Sequence, residues 1–163
     1  MKLLHGSNMV IDNPDLAKCH SNNDFGKGFY LTPQWNRAWG MGKRRKDFYG
    51  GTIVVNVFYF YPKKSLEKGL KILSFKGFTT SWASFIIQNR YNKDFKHDYD
   101  VVIGPVADAI IDEEIRKYVH KHPEDYLNDD NLKEFIHEIS QFGSDYVQYC
   151  FCTDKALQEL IKD

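Results

Sequence analysis

The 163-residue sequence lacks an excess of charge of either sign, because 22 lysines and arginines balance 22 aspartates and glutamates. A formal net charge of zero leaves no overall field to draw the chain toward nucleic acid, an anionic membrane or an acidic partner. Local patches remain open. The richest is Lys-Arg-Arg-Lys at 43–46, which can face phosphates but is interpreted as the solvated end of a helix.

Long hydrophobic runs are also missing. No apolar stretch approaches the roughly 18 residues that a membrane-spanning helix needs. The N-terminus offers only Leu3 and Leu4 before polar residues, so neither a signal peptide nor a membrane span is predicted there. We therefore expect a cytoplasmic protein without a membrane partner.

Cysteine is scarce, with Cys19, Cys150 and Cys152 forming an odd set. Cys150 and Cys152 are two residues apart in a predicted strand and should share one face, as reduced thiols. The cysteines and scattered histidines lack the spacing of a zinc site, so no metal is predicted. A chain of this length buries about two-thirds of its unfolded surface, so a single domain over 1–163 needs no disulfides.

What the sequence does contain is a mixture of helix and strand patterns. They do not alternate strictly enough for a doubly wound parallel sheet, so an α+β fold is predicted. Apolar spacing, caps and β-branched runs place helices at about 33–46, 79–89, 107–118 and 131–142 and from Thr153 onward, and strands at 52–61, 70–75, 100–103 and 146–151.

The first predicted helix carries two tryptophans. Thr32 is predicted to cap it, Pro33 to take its first position and Gly50 to end it. Trp35, Ala38, Trp39 and Gly42 recur on one face, so the two tryptophans are expected in the core, although either can line a pocket instead.

Two short segments can carry chemistry. His5-Gly6-Ser7 ends a short strand with an imidazole, a glycine that lets a ligand approach the backbone, and a hydroxyl. Gly26-Lys27-Gly28 stands directly before the strand-like pair Phe29-Tyr30, so the loop either wraps a ligand or simply turns into a core strand. A phosphate loop is rejected because Gly-Lys-Gly precedes a strand here instead of opening a helix.

Together these segments resemble the NAD-binding core of the ADP-ribosyltransferase superfamily, on its diphtheria-toxin and poly(ADP-ribose)-polymerase side. In that core a strand His-Gly-Ser/Thr is followed by Gly-x-Gly-Ile/Phe-Tyr-Phe/Leu. The whole chain is similar to a bacterial family of short proteins with this core, with further matches at Asp24-Phe25-Gly26, at 100–108, and at Gln148-Tyr149-Cys150-Phe151 with Thr153, Ala156 and Leu157.

The resemblance implies a split β-sandwich with flanking helices that holds NAD in a cleft between its sheets. It implies that His5 binds a ribose hydroxyl, that the Gly6 backbone holds the nicotinamide carboxamide, that Ser7 and Gly28 line the site, and that Tyr30 stacks on the nicotinamide ring. The superfamily commonly has a glutamate on a later strand, and the best-matching position here is Gln148.

Glutamine at this position is a departure, because an amide can orient a ribose hydroxyl but cannot act as a general base. Synthesis of poly(ADP-ribose) chains is therefore disfavoured. The alternative without a function is that Gln148 is a strand residue that faces solvent. A second departure is Ala38, Trp39 and Met41, where the polymerase relatives supply a serine and a second stacking tyrosine. Asp24 and Asp108 are the remaining candidates, and both can equally be turn or helix caps.

The sequence thus predicts an NAD-dependent mono-ADP-ribosyltransferase, toxin-like by analogy, that modifies a protein or nucleic acid and releases nicotinamide. Whether a cognate inhibitor protein is a further partner is left open by the sequence. Two alternatives stay open: a weak or inactive module that binds NAD or ADP-ribose, and a nucleic-acid-binding protein whose aromatic residues stack on bases beside the basic patch at 43–46.

Overall fold

The computed structural model describes residues 1–143 and 145–163, which form an α+β fold with two sheets. Within the described residues, every helix is too short or too polar to cross a bilayer. The elements in chain order are β1 (Lys2–Ser7), β2 (Phe29–Leu31), α1 (Trp35–Tyr49), β3 (Val54–Tyr59), α2 (Pro62–Glu67), β4 (Ile72–Ser74), α3 (Thr80–Tyr91), β5 (Val101–Pro105), α4 (Ala109–Lys121), α5 (Asp129–Ile139), β6 (Val147–Phe151), α6 (Asp154–Leu157) and β7 (Ile161–Lys162).

The strands divide into sheet A, in the order β1-β3-β7, and sheet B, in the order β2-β6-β5-β4. All neighbours are antiparallel except β4 and β5, which run parallel. A single antiparallel bridge between Leu4 and Thr32 joins β1 to the end of β2. We call the line between β1 and β2 the seam, because the two sheets part along it.

Two hydrophobic clusters hold the sheets and helices together. One combines side chains of both sheets, with the Phe29 and Phe58 rings 5.6 Å apart and the Phe60 and Phe151 rings 4.9 Å apart. The other lies between the opposite face of sheet B and helices α3, α4 and α5, around the fully buried Trp82. Because strand side chains alternate, Phe29 belongs to the first cluster and Tyr30 packs against the second.

Most elements predicted from periodicity are present, and Thr79 and Thr153 cap their helices as expected, accepting from Trp82 N–H and Ala156 N–H. Helix α2 and strand β7 were not predicted. Their six and two residues are too short to show a hydrophobic period.

Helix α1 corrects two predictions. It begins at Trp35 after Gln34, so Thr32 does not cap it; the Thr32 hydroxyl donates instead to the Val147 carbonyl at 2.8 Å. Trp35 and Trp39 are 55% and 44% exposed, so their assignment to the core was wrong. The buried stripe of the helix consists of Ala38 and Gly42, whose small size lets the helix backbone approach β1.

Candidate functional site at the seam between the sheets

The direction of the backbone groups in β1 defines the seam. Met1 and Phe60 exchange two backbone hydrogen bonds, of 2.6 and 2.9 Å. The backbone N–H and C=O groups of the odd-numbered residues of β1 therefore point toward β3. Leu4 instead exchanges bonds of 2.8 and 2.9 Å with Thr32 on the other side. Gly6, two residues beyond Leu4, therefore directs its N–H and C=O toward β2.

Pairing across the seam stops before it reaches Gly6. Regular antiparallel pairing would place the next rung between Gly6 and Tyr30. Among the described residues, however, the Leu4–Thr32 bridge is the only pairing between β1 and β2. The His5 Nδ1 atom lies 2.7 Å from the Tyr30 carbonyl oxygen and takes the acceptor that this rung would use. The Gly6 peptide is thus left at the seam as a donor and acceptor pair on one strand edge.

Gly6 also has a packing role, which accounts for a glycine without any ligand. A Cβ atom there would lie 1.7 Å from the Ala38 carbonyl oxygen and 2.6 Å from the Gly42 nitrogen. The backbone of α1 therefore lies directly against β1 and closes one side of the seam. Ser7, the next residue, is buried beside the same helix, since a Cβ at Gly42 would lie 3.1 Å from the Ser7 carbonyl oxygen.

His5 is held in one protonation state and one orientation. Its ring stacks on Phe29 with centroids 4.3 Å apart and planes 27° from parallel. Burial lowers the pKa of His5 from 6.5 to about 4, and the positive charge of Arg45 on α1 adds to the lowering, against the opposing effect of the Tyr30 carbonyl. The ring is therefore neutral at pH 7. Because a carbonyl only accepts, Nδ1 carries the proton and Nε2 keeps a lone pair that can accept from a hydroxyl.

Tyr30 fixes the glycine loop that precedes it. Its hydroxyl donates to the Gly26 carbonyl at 2.7 Å and accepts from the Phe25 N–H at 3.0 Å. Burial raises the pKa of Tyr30 well above its usual value, so the hydroxyl stays protonated. Gly26 has a φ of +83°, which favours glycine, and a Cβ at Gly28 would lie 2.4 Å from Cys150 Sγ. The loop is thus shaped by close packing on β6 and by the tyrosine itself.

Gln148 lies in a buried polar cluster, so its interpretation as a solvent-facing strand residue was wrong. It is 9% exposed, and its Nε2 donates to Asp24 Oδ2 at 2.7 Å and weakly to the Pro105 carbonyl at 3.4 Å. A carboxylate only accepts, so Asp24 fixes the amide with its nitrogen inward. The Oε1 atom of Gln148 is left as the acceptor.

Asp24 is itself held by Arg90 of α3, which sequence reasoning did not identify. The two side chains form an ion pair with exposures of 14% and 11%, and Arg90 also pairs with Asp112 of α4. The Ala107 N–H adds a 3.2 Å bond to Asp24. Asp24 is therefore a buried anchor for Gln148 and not a turn cap. Asp108, in contrast, is the N-cap of α4, accepting from two N–H groups of its first turn.

The candidate residues converge on three neighbouring strands. His5 and Gly6 come from β1, Tyr30 from β2, and Gln148 from β6, whose Cys150 pairs with Tyr30. Tyr30 and Gln148 lie on the same face of sheet B, since Gln148 is two residues from Cys150. The His5 ring stacks on Phe29 and so lies on the opposite face. The side chains flank the seam from both faces instead of meeting in one pocket.

Two surface depressions lie away from the seam. One between α4 and α5 is lined by Tyr118, His122 and Phe135, and another lies beside Pro105 and Phe78. We choose the seam as the candidate site because of its functional groups: the seam combines an unpaired edge of β1 with the neutral imidazole of His5. Within the described residues, no group of histidines, cysteines and carboxylates is arranged to hold a metal ion.

Comparison with known proteins gives one family assignment. No protein of curated function and no solved structure matches the chain. A family model described as "Protein of unknown function (DUF3990)" matches residues 1–161. The match spans nearly the whole chain, and the protein therefore belongs to the DUF3990 family.

Proposed function

We propose that this protein is an NAD-dependent mono-ADP-ribosyltransferase, which transfers ADP-ribose from NAD to a macromolecular acceptor and releases nicotinamide. The observation that carries the proposal is the Gly6 peptide at the seam. A primary carboxamide has a donor nitrogen and an acceptor oxygen side by side, and it complements the C=O and N–H of one strand residue. Nicotinamide carries such a group on a flat ring.

The neighbouring side chains suit the rest of NAD. The neutral His5 ring offers Nε2 as an acceptor for a ribose hydroxyl. Tyr30, with its hydroxyl tied to Gly26, is a rigid aromatic group beside the seam and can stack on the nicotinamide ring. The two sheets joined by one bridge agree with the split β-sandwich that the resemblance implies.

The transfer reaction requires few further groups from the protein. The bond between ribose C1′ and the ring nitrogen of nicotinamide breaks, and its electrons neutralise the cationic ring. An acceptor nucleophile then bonds to C1′ and loses its proton to solvent. The protein contributes by holding the leaving group still and by orienting the ribose as it becomes an oxocarbenium. Gln148 Oε1 can accept from a ribose hydroxyl but supplies no full negative charge, so we expect slow single transfer and no chain building.

A second candidate function follows from the chemistry of Gln148. Asp24 holds the Gln148 amide in place, and an amide cannot activate an acceptor. A module that binds NAD or ADP-ribose with little or no catalysis is the alternative that this observation favours.

Calorimetry with NAD and a nicotinamide-release assay, with and without cell extract, distinguish these functions. We expect NAD binding and slow release, lost in His5→Ala and slowed in Gln148→Ala. Gly40→Ala is the matched control on α1, because nothing lies within 4 Å of the added methyl group. Binding without release supports the binding module. No binding in the folded wild-type protein contradicts both functions.

A further inference from the structure

Helix α1 concentrates positive charge in a chain whose formal net charge is zero. Its 15 residues, WNRAWGMGKRRKDFY, include five lysines and arginines and one aspartate. Ion pairs elsewhere hold Lys68, Arg90 and Lys117. None of the ion pairs in the described part of the chain involves a cation of α1. The helix therefore presents cations without protein counterions.

Large aromatic side chains stand among these cations and are exposed. Trp35 and Trp39 are four residues apart and lie on one stripe, which Lys43 and Lys46 continue. Farther along, Phe48 and Tyr49 are 74% and 69% exposed. The guanidinium groups of Arg44 and Arg45 lie 6.0 and 5.8 Å from the centres of these two rings. Flat rings and cations thus alternate along a helix of about 22 Å.

We propose that α1 is a binding surface for single-stranded nucleic acid. Unpaired cations attract phosphates, and exposed rings stack on bases that are not already paired and stacked in a duplex. This inference goes beyond the proposed function, because binding to α1 requires neither NAD nor the residues of the seam.

The arrangement argues against two other occupants. A helix that lies on a membrane separates an apolar face from a charged face, whereas rings and cations share the same stripes on α1. Its least polar stripe, around Ala38 and Gly42, is already buried against β1. An acidic protein segment would satisfy the cations but would leave four exposed aromatic rings without the stacking partners that bases provide.

The tryptophans provide a direct readout. Two of the three tryptophans lie exposed on α1, while Trp82 is fully buried. A single strand that stacks on α1 should therefore quench most of the solvent-accessible tryptophan fluorescence. The quenching should saturate and should be reversed by salt.

The test measures fluorescence anisotropy of a labelled oligothymidylate against the 163-residue protein without NAD, over a range of salt concentrations. Lys43→Glu with Lys46→Glu should weaken binding at least tenfold and flatten the salt dependence, by about 0.7 in log–log slope for each lost phosphate contact. Trp35→Ala with Trp39→Ala should weaken binding without changing that slope. Lys63→Glu with Lys64→Glu on α2 makes the same charge change away from α1 and should leave binding within twofold.

Thermal melting of each variant establishes that it is folded. The proposal is overturned if the wild-type protein fails to bind the oligonucleotide at low salt, binds a duplex more tightly, or prefers vesicles containing phosphatidylserine. Equal losses in the α1 and α2 variants also contradict it. NAD binding is measured separately by calorimetry, so a failure at α1 leaves the seam untouched.

Discussion

The protonation of His5 should make folding stability depend on pH in a predictable way. The pKa of this group is 6.5 in an unfolded chain and about 4 in the fold. Between these values the unfolded state binds more protons, so this group destabilises the fold as the pH falls below 6.5. At pH 5 the loss is about 2 kcal/mol relative to pH 7.5, and at pH 4 it is about 3 kcal/mol, taking 1.36 kcal/mol per pKa unit.

A His5→Asn variant isolates this contribution. Its side-chain amide can still donate to the Tyr30 carbonyl, as Nδ1 does, but it does not titrate. Urea unfolding of both proteins at pH 7.5, 5 and 4 gives the difference directly, because all other titrating groups are shared. The wild-type protein should lose about 2 kcal/mol more than the variant between pH 7.5 and pH 5. Parallel losses in the two proteins would show that His5 is not held neutral by the fold.

Three further predictions concern packing and reactivity. Gly6→Ala should lower the free energy of unfolding in urea by about 3 kcal/mol or more, because the added methyl group meets the α1 backbone. Gly40→Ala should instead raise it by about 0.5–1 kcal/mol, because the methyl group meets no neighbour and alanine favours the helix. Equal effects of the two substitutions would refute the close approach of α1 to β1. Arg90→Met should cost about 3–5 kcal/mol by leaving Asp24 buried without its cation, and a loss below 1 kcal/mol would contradict the buried cluster. The hydrogen bond with Cys150 and, after it, the hydrogen bond with His97 lower the pKa of Cys152 to about 6. Iodoacetamide at pH 7 should therefore modify Cys152 before the other cysteines, as measured by peptide mass mapping. Preferential labelling of another cysteine would contradict this prediction.

The sequence predicted the fold class and most elements because long amphipathic helices and β-branched strands leave a periodic signal. The prediction failed where tertiary contacts decide which residue caps a helix or which side chain is buried. Thr32 satisfies every local rule for a helix cap, yet its hydroxyl is used by Val147 across the sheet. Trp35 and Trp39 have core spacing, yet the helix buries the smaller Ala38 because only small residues allow it to approach β1 so closely.

The candidate site divides in the same way. His5-Gly6-Ser7 and the loop before Tyr30 are local motifs, so both were visible in the sequence. The interruption of strand pairing that leaves the buried Gly6 backbone without a partner on β2 depends on a hydrogen bond between residues 25 positions apart. The cluster around Gln148 depends on Arg90, which occupies an unremarkable position near the end of α3, and no local pattern pointed to it.

The most direct test of the proposed NAD site is a crystal structure of the protein with nicotinamide or NAD. The carboxamide should bind the Gly6 N–H and C=O at the seam, with the ring beside Tyr30 and, for NAD, a ribose hydroxyl on His5 Nε2. A ligand bound away from His5, Gly6 and Tyr30 would contradict an NAD site at the seam.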